Sequence, residues 1–289
     1  MDMDGGFSLS VDRCLRGVAT YTDDIEVPDA AHGVMLRSPY AHAGLRAIDT
    51  AAARRRPGVL AILTGQDLPG HIRPLPCLMP LISRDGRPRA EADRAVLALD
   101  RVRHVGDGVA FIVAETAAQA LDAADAVNVS YEILPAVVQP GALSCSIWQD
   151  ASDNECFDWG VGELEACDCL IAEAAHVVRL RLRNPRVVVN ALEPRAAIGQ
   201  YDAGTAQYHL IATTQGVHLV RRVLAAALGI PEDRMRVITP NVGGGFGSKI
   251  YAYPEAGSRR LGDRKFPWCR SCFPRCMTMA AVLAATRLT

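Results

Sequence analysis

Val109-Ala-Phe-Ile-Val113 is an unbroken apolar run, and Glu115-Thr116 follows it within two residues. A run of this length without alternation reads as a strand covered on both faces. Thr116 is suited to cap a helix in which Ala117, Leu121 and Ala124 share one face. Val127 to Ile133 then alternates apolar and polar residues, the pattern of an edge or half-buried strand. Strand, helix and strand in succession make a compact α/β unit ending near Pro135, and the fold class expected is α/β (α+β).

Upstream, Gly33 to Arg37 and Leu45 to Ile48 read as strands. Asp49 and Thr50 can cap a helix through Arg56, stopped by Pro57-Gly58, and Val59 to Leu63 is a further buried strand. Ile72 to Ala92 is rich in Pro and Arg without a period, which predicts a long loop, and residues 136–160 read as a linker. A second unit opens with a helix over Glu163 to Ala175 and a strand over His176 to Leu182. Ala197 to Tyr201 then pairs with Gln207 to Thr213 across Asp202-Ala-Gly204. A helix over Gly216 to Leu228 turns Val217, Val220, Leu224 and Ala227 inward and Arg221 and Arg222 outward, and Gly229 and Pro231 end it. Arg234 to Ile238 is a strand that delivers the chain into Asn241-Val-Gly-Gly-Gly-Phe-Gly-Ser-Lys249.

The 289 residues are 49% hydrophobic and 22% charged, a balance typical of folded globular chains. A net charge of -1 gives no electrostatic case for nucleic acid or an anionic membrane. The charge is unevenly placed: residues 257–289 hold seven Lys/Arg and one Asp, while residues 1–256 hold 24 basic and 31 acidic residues. Nine cysteines without a regular framework, and the acidic start Met1-Asp2-Met3-Asp4, point to a reducing cytoplasm and away from a signal peptide. The longest apolar run near the end, Met277 to Thr286, is shorter than the about 20 residues a membrane span needs.

Gly243-Gly244-Gly245-Phe246-Gly247 allows backbone N–H groups to approach a ligand without obstruction by Cβ atoms, in the manner of phosphate or oxyanion cradles. The plain alternative is a tight bend. Neither nucleotide pattern is met: Ser248 stands where a P-loop needs glycine before Lys249, and again where the third glycine of G-x-G-x-x-G would fall. Gln215, at a strand end and directly before a helix, could donate its amide to an anionic or oxo ligand. Glu193 and Arg195 could form a buried ion pair beneath a site, although the sequence alone favours a surface pair. His104 and Asp107 read as structural. Cys269, Cys272 and Cys276 have metal-like spacing in a tail without a supporting secondary-structure pattern, and a small metal-binding protein is the last of the readings.

Taken together, these stretches resemble the molybdenum-binding subunit of the xanthine oxidase and aldehyde oxidase class, nearest to the large subunit of aerobic carbon monoxide dehydrogenase. The resemblance runs through Tyr21-Thr-Asp-Asp-Ile25, Arg37-Ser-Pro-Tyr-Ala-His42, Pro57-Gly-Val59, Leu63-Thr-Gly-Gln-Asp67, Val105-Gly-Asp107 and Val113-Ala-Glu-Thr116. It continues through Cys156-Phe-Asp-Trp159, Leu192-Glu-Pro-Arg195, Thr213-Thr-Gln215 and Val242 to Lys249.

The resemblance implies an α/β-hammerhead domain over 14–135, the linker 136–160, the first part of a molybdopterin-binding domain over 161–256 and an atypical tail over 257–289. It also implies a molybdenum–molybdopterin cofactor, which could be the cytosine dinucleotide form, held by Gln215, Gly244, Gly245, Phe246 and Gly247. The implied partners are a 2Fe-2S subunit and an FAD subunit, in a homodimer of heterotrimers. The implied reaction inserts a water-derived oxygen into an aldehyde, carbon monoxide or a heterocycle. Ile250 replaces the glutamate of xanthine-type members, which disfavours purines. Family-like sequence stops near Gly257, so the chain is expected to be truncated or frameshifted there and, if so, to lack the general base. A non-catalytic partner-binding or inert product is the alternative.

Overall fold

The computed structural model describes residues 11–68, 72–78, 81–90, 94–138, 145–151, 154–182, 184, 187–253 and 268–271. Its strands are β1 (Ala31–Arg37), β2 (Ala43–Asp49), β3 (Val59–Thr64), β4 (Arg101–Val102), β5 (Gly108–Ala114), β6 (Asn128–Ile133), β7 (Ala197–Asp202), β8 (Gln207–Ala212), β9 (Met235–Ile238) and β10 (Trp268–Ser271). Its helices are α1 (Ala51–Arg54), α2 (Ala117–Asp125), α3 (Leu164–Glu173) and α4 (Val217–Leu228).

The chain divides into two compact units that interleave along the sequence. One comprises Met1–Pro76, Asp93–Ala136 and Ala191–Thr289, the other Cys77–Ala92 and Val137–Asn190. All the strands belong to the first. A seven-stranded sheet runs in the order β3-β5-β1-β10-β7-β8-β9, and a three-stranded sheet in the order β4-β2-β6.

β5 lies deepest, with every residue buried, as its unbroken apolar run requires. Ala110, Ile112 and Ala114 on one face join Val34, Ile62, Ala120, Ala123 and Ala124 in a single cluster. Val109, on the other face, packs with Ala43, Ala98 and Val102. The helix over this sheet is turned from the expected setting: Ala120, Ala123 and Ala124 face the core, whereas Leu121 is 48% exposed. Small side chains let α2 lie close to β5, and the larger Leu121 takes the outer side.

α2 begins with the Thr116 cap its sequence predicts, and Gln119 closes it reciprocally. Thr116 Oγ1 accepts from Gln119 N (3.2 Å), and Gln119 Oε1 accepts from Thr116 N (2.9 Å). Thr116→Ala is expected to cost about 1 kcal/mol, measured as a shift of the urea midpoint at unchanged slope. An unshifted midpoint would show that the cap contributes nothing.

Two sequence expectations are corrected. His176 to Leu182 forms no strand; Val178, Leu180 and Leu182 are exposed instead. Alternation makes a segment fit for a sheet, but a strand also needs a hydrogen-bonded neighbour, and none of the described residues supplies one. The tail, expected without regular structure, contributes β10, which lies parallel to β1 and antiparallel to β7. So short a strand needs two open edges rather than a sequence period.

Candidate functional site

β7 and β8 pair across the Asp202–Gln207 turn, and Thr213, Thr214 and Gln215 carry the chain from β8 to the N-terminus of α4. α4 buries Val220, Leu224 and Ala227 as expected, and Val223, Ala225 and Leu228 besides, while Val217, expected inward, is only half-buried; the helix ends at Gly229, as its sequence predicts. β9 lies parallel to β8, so the segment after β9 leaves the sheet at the same end as Gln215. That segment is the glycine bend. Asn241 anchors its entry, donating from both N and Nδ2 to Thr20 O (3.1 and 3.0 Å).

Within the bend Gly244, Phe246 and Gly247 have φ of 94°, 48° and 81°, the left-handed region from which backbone concavities for anions are built. Phe246 is 77% exposed. Ser248 donates from N and Oγ to Gly245 O, each at 2.8 Å. The N–H groups of Gly244, Gly245 and Phe246 form no hydrogen bond among the described residues.

Gln215 is stitched to this bend. Its N donates to Lys249 O (2.9 Å), and its Oε1 accepts from Gly247 N (3.1 Å) and Lys249 N (3.3 Å). Both partners of the carboxamide are N–H donors, so the atom facing them is the oxygen, and the NH2 group is left over. That group makes no hydrogen bond among the described residues. A Cβ at Gly245 would lie 2.3 Å from Gln215 Oε1, so only glycine admits the carboxamide there. The structure therefore brings Gln215, Gly244, Gly245, Phe246 and Gly247 together, with four donor groups free for a ligand.

Beneath the bend lies a buried ion pair. Lys249 is 2% exposed and the Glu193 side chain 10%, with Nζ and Oε2 at 3.1 Å. The acidic member is the glutamate whose sequence context favoured a surface pair with Arg195; the pair formed here is buried, and its cation is Lys249. Arg195 lies 3.9 Å from the ring centre of Tyr253 and donates to Ser248 O (3.3 Å). Sequence reasoning missed Lys249 as a site residue. The available signal was that it is one of only two lysines in the chain and directly follows the bend.

His104 and Asp107 lie beside one another at a turn. Their side chains stand 3.7 Å apart, and Asp107 Oδ2 accepts from Arg103 N (3.0 Å) to hold a turn. Of the tail cysteines, Cys272 and Cys276 lie outside the described residues. Among the described residues no cluster of His, Cys, Asp or Glu could hold a metal ion, and no helix is long and apolar enough to cross a membrane.

Residues 16–135 match the family model for the aldehyde oxidase and xanthine dehydrogenase a/b hammerhead domain, and residues 147–259 match that for the molybdopterin cofactor-binding domain. The chain belongs to the aldehyde oxidase and xanthine dehydrogenase family. Within this family it is 33% identical to the carbon monoxide dehydrogenase large chain of Hydrogenophaga pseudoflava, over 84% of this chain and 31% of the relative. It is 32% identical to the nicotine 6-hydroxylase large subunit of Paenarthrobacter nicotinovorans, over 84% of this chain and 29% of that one.

Among solved structures of similar proteins, quinoline 2-oxidoreductase from Pseudomonas putida 86 superposes with a TM-score of 0.78 at 31% identity, over 91% of this chain and 33% of that one. Reconstituted CO dehydrogenase from Oligotropha carboxidovorans gives 0.77 at 30% identity, over 92% and 34%. The chain thus spans about a third of the length of the proteins it resembles, and its fold is that of the hammerhead domain and the start of the molybdopterin-binding domain.

Proposed function

We propose that this chain supplies part of the wall of a molybdenum–molybdopterin site in a molybdenum hydroxylase. The observation that carries this reading is the set of four unpaired donors: the N–H groups of Gly244, Gly245 and Phe246 and the NH2 of Gln215. These four donors lie in one bend, and none of them changes charge near neutral pH. That suits a ligand rich in negatively charged oxygen, and the residues present fit the group the family implies.

Gln215, Gly244, Gly245, Phe246 and Gly247 are the residues that hold it. When bound, the cofactor supplies the insertion of a water-derived oxygen into a small substrate and takes up the electrons released. This chain orients the group and excludes water from one side. The substrate is an aldehyde, carbon monoxide or a heterocycle, with purines disfavoured by Ile250. The cofactor is the cytosine dinucleotide form, and electrons leave through 2Fe-2S and FAD subunits in a homodimer of heterotrimers. A cytoplasmic location fits the free thiols of Cys14, Cys77, Cys145, Cys156, Cys167 and Cys169.

Gln215→Glu tests the site. Glutamate keeps an oxygen for the Gly247 and Lys249 N–H groups but replaces the outward NH2 with negative charge. Hydrogen bonds to charged groups contribute roughly 1.5–3 kcal/mol, so molybdenum and pterin content is expected to fall about tenfold or more. The protein is purified with its co-produced iron–sulfur and flavin subunits. Absence of molybdenum and pterin from the unsubstituted protein would overturn the reading.

A second reading, a partner-binding module without turnover, is favoured by the second unit, where Trp159, Val161, Leu170, Val178, Leu180 and Leu182 are all exposed. Apolar exposure on this scale marks interaction surfaces. Capture of the iron–sulfur and flavin subunits by a protein free of molybdenum would support it.

A further inference from the structure

We propose that Glu193 and Lys249 form a positioning pair: from beneath the glycine bend they fix its backbone, and thereby the direction in which Gln215 and the free N–H groups face. The inference rests on the reading of the bend as a cofactor wall, and adds to it two residues that do not touch the cofactor.

A single carboxylate holds both ends of the bend. At the entry, Glu193 Oε2 accepts from Gly243 N (2.7 Å), and Glu193 N donates to Gly243 O (3.1 Å). At the exit, Lys249 Nζ donates to Glu193 Oε2 (3.1 Å) and to Glu193 O (2.8 Å). The remaining carboxylate oxygen accepts from the Thr213 hydroxyl (3.2 Å), which lies 3.2 Å from Thr22 Oγ1. The carboxylate is thus tied to β8 and the N-terminal segment as well as to the bend.

The backbone of Lys249 relays the constraint. Its N donates to Gln215 Oε1, and its O accepts from Gln215 N (2.9 Å) and Thr214 Oγ1 (2.9 Å). Contacts therefore run from Glu193 through Lys249 to the carboxamide whose NH2 faces outward. Buried ion pairs rarely stabilise a fold more than apolar side chains of equal volume would, so general stability is a poor account of this one. Fixing the ends of a glycine-rich segment is a better one, because glycines carry the largest conformational freedom of any residue. The pair is also electrically neutral as a unit, so it steers the bend without placing a net charge beneath the donors.

The test uses Glu193→Gln/Lys249→Met, which removes both charges and leaves none unpaired, beside Lys249→Arg, which keeps the cation. Hydrogen exchange is followed at the Gly247 and Lys249 amides, with β5 amides as the reference. Expected for the double variant is exchange about tenfold faster in the bend, with β5 unchanged, because a local opening need not reach the core. Lys249→Arg is expected to keep bend exchange closer to the original rate. Bend exchange at the original rate in the double variant would overturn the inference, and so would equal acceleration in β5, which marks a purely structural pair. If the bend loosens as expected while the unsubstituted protein carries no molybdenum or pterin, the positioning role stands and the cofactor reading falls.

Discussion

Lys249→Met is expected to destabilise the fold by about 3–5 kcal/mol, because it leaves the Glu193 carboxylate buried without its cation. Glu193 retains Gly243 N and the Thr213 hydroxyl as donors, but these neutral groups do not replace an ammonium at 3.1 Å. The decisive comparison is with Glu193→Gln/Lys249→Met. Removing both charges restores electrical balance, and the double variant should be more stable than Lys249→Met alone, a non-additivity expected of contacting residues. Urea unfolding followed by circular dichroism checks both. If Lys249→Met costs less than about 1 kcal/mol, the range of solvent-exposed pairs, the ion pair is not insulated as its burial indicates.

Phe111→Ala is expected to cost about 3–5 kcal/mol, the usual penalty for emptying a buried aromatic site. Phe111 is fully buried on β5, and its ring fills the space over Gly33 of β1: a Cβ on Gly33 would lie 2.2 Å from Phe111 Cζ. Gly33 is required for that close approach rather than for a turn. Gly33→Ala should therefore destabilise by overpacking, by about 1–3 kcal/mol. Combined with Phe111→Leu, which shortens the opposing side chain, the two costs should not add. Strict additivity in thermal unfolding would mean that the ring and the glycine do not share one space.

How much of this was legible depended on whether the signal was local. β5 could be read from its apolar run, α2 from Thr116, and the β7–β8 hairpin from Asp202-Ala-Gly204, because each is specified by neighbours in sequence. The orientation of α2 was not, since Leu121 and Ala120 compete for the core and the space above β5 decides between them. The strand expected over His176 to Leu182 lacked a partner, and β10 found two without any pattern of its own. Both cases turn on hydrogen-bonding edges, which belong to the assembled sheet.

At the site the same division holds. Gln215 and the glycines from Gly243 to Gly247 stood out as residue types suited to donating toward an oxygen-bearing group, and their order along the chain, with the other quoted stretches, sufficed to place the chain in its family. Sequence by itself thus determined the helices of the first unit, its strands other than β4 and β10, and the candidate donors, from local periodicity and side-chain chemistry, and the family from the order of its motifs. Tertiary structure alone decided which face of the carboxamide is spent on the bend, that Glu193 pairs with Lys249, and that the two compact units interleave. Those outcomes depend on contacts between residues far apart in the chain, whose energies exist only once the intervening strands have brought them within a few ångströms.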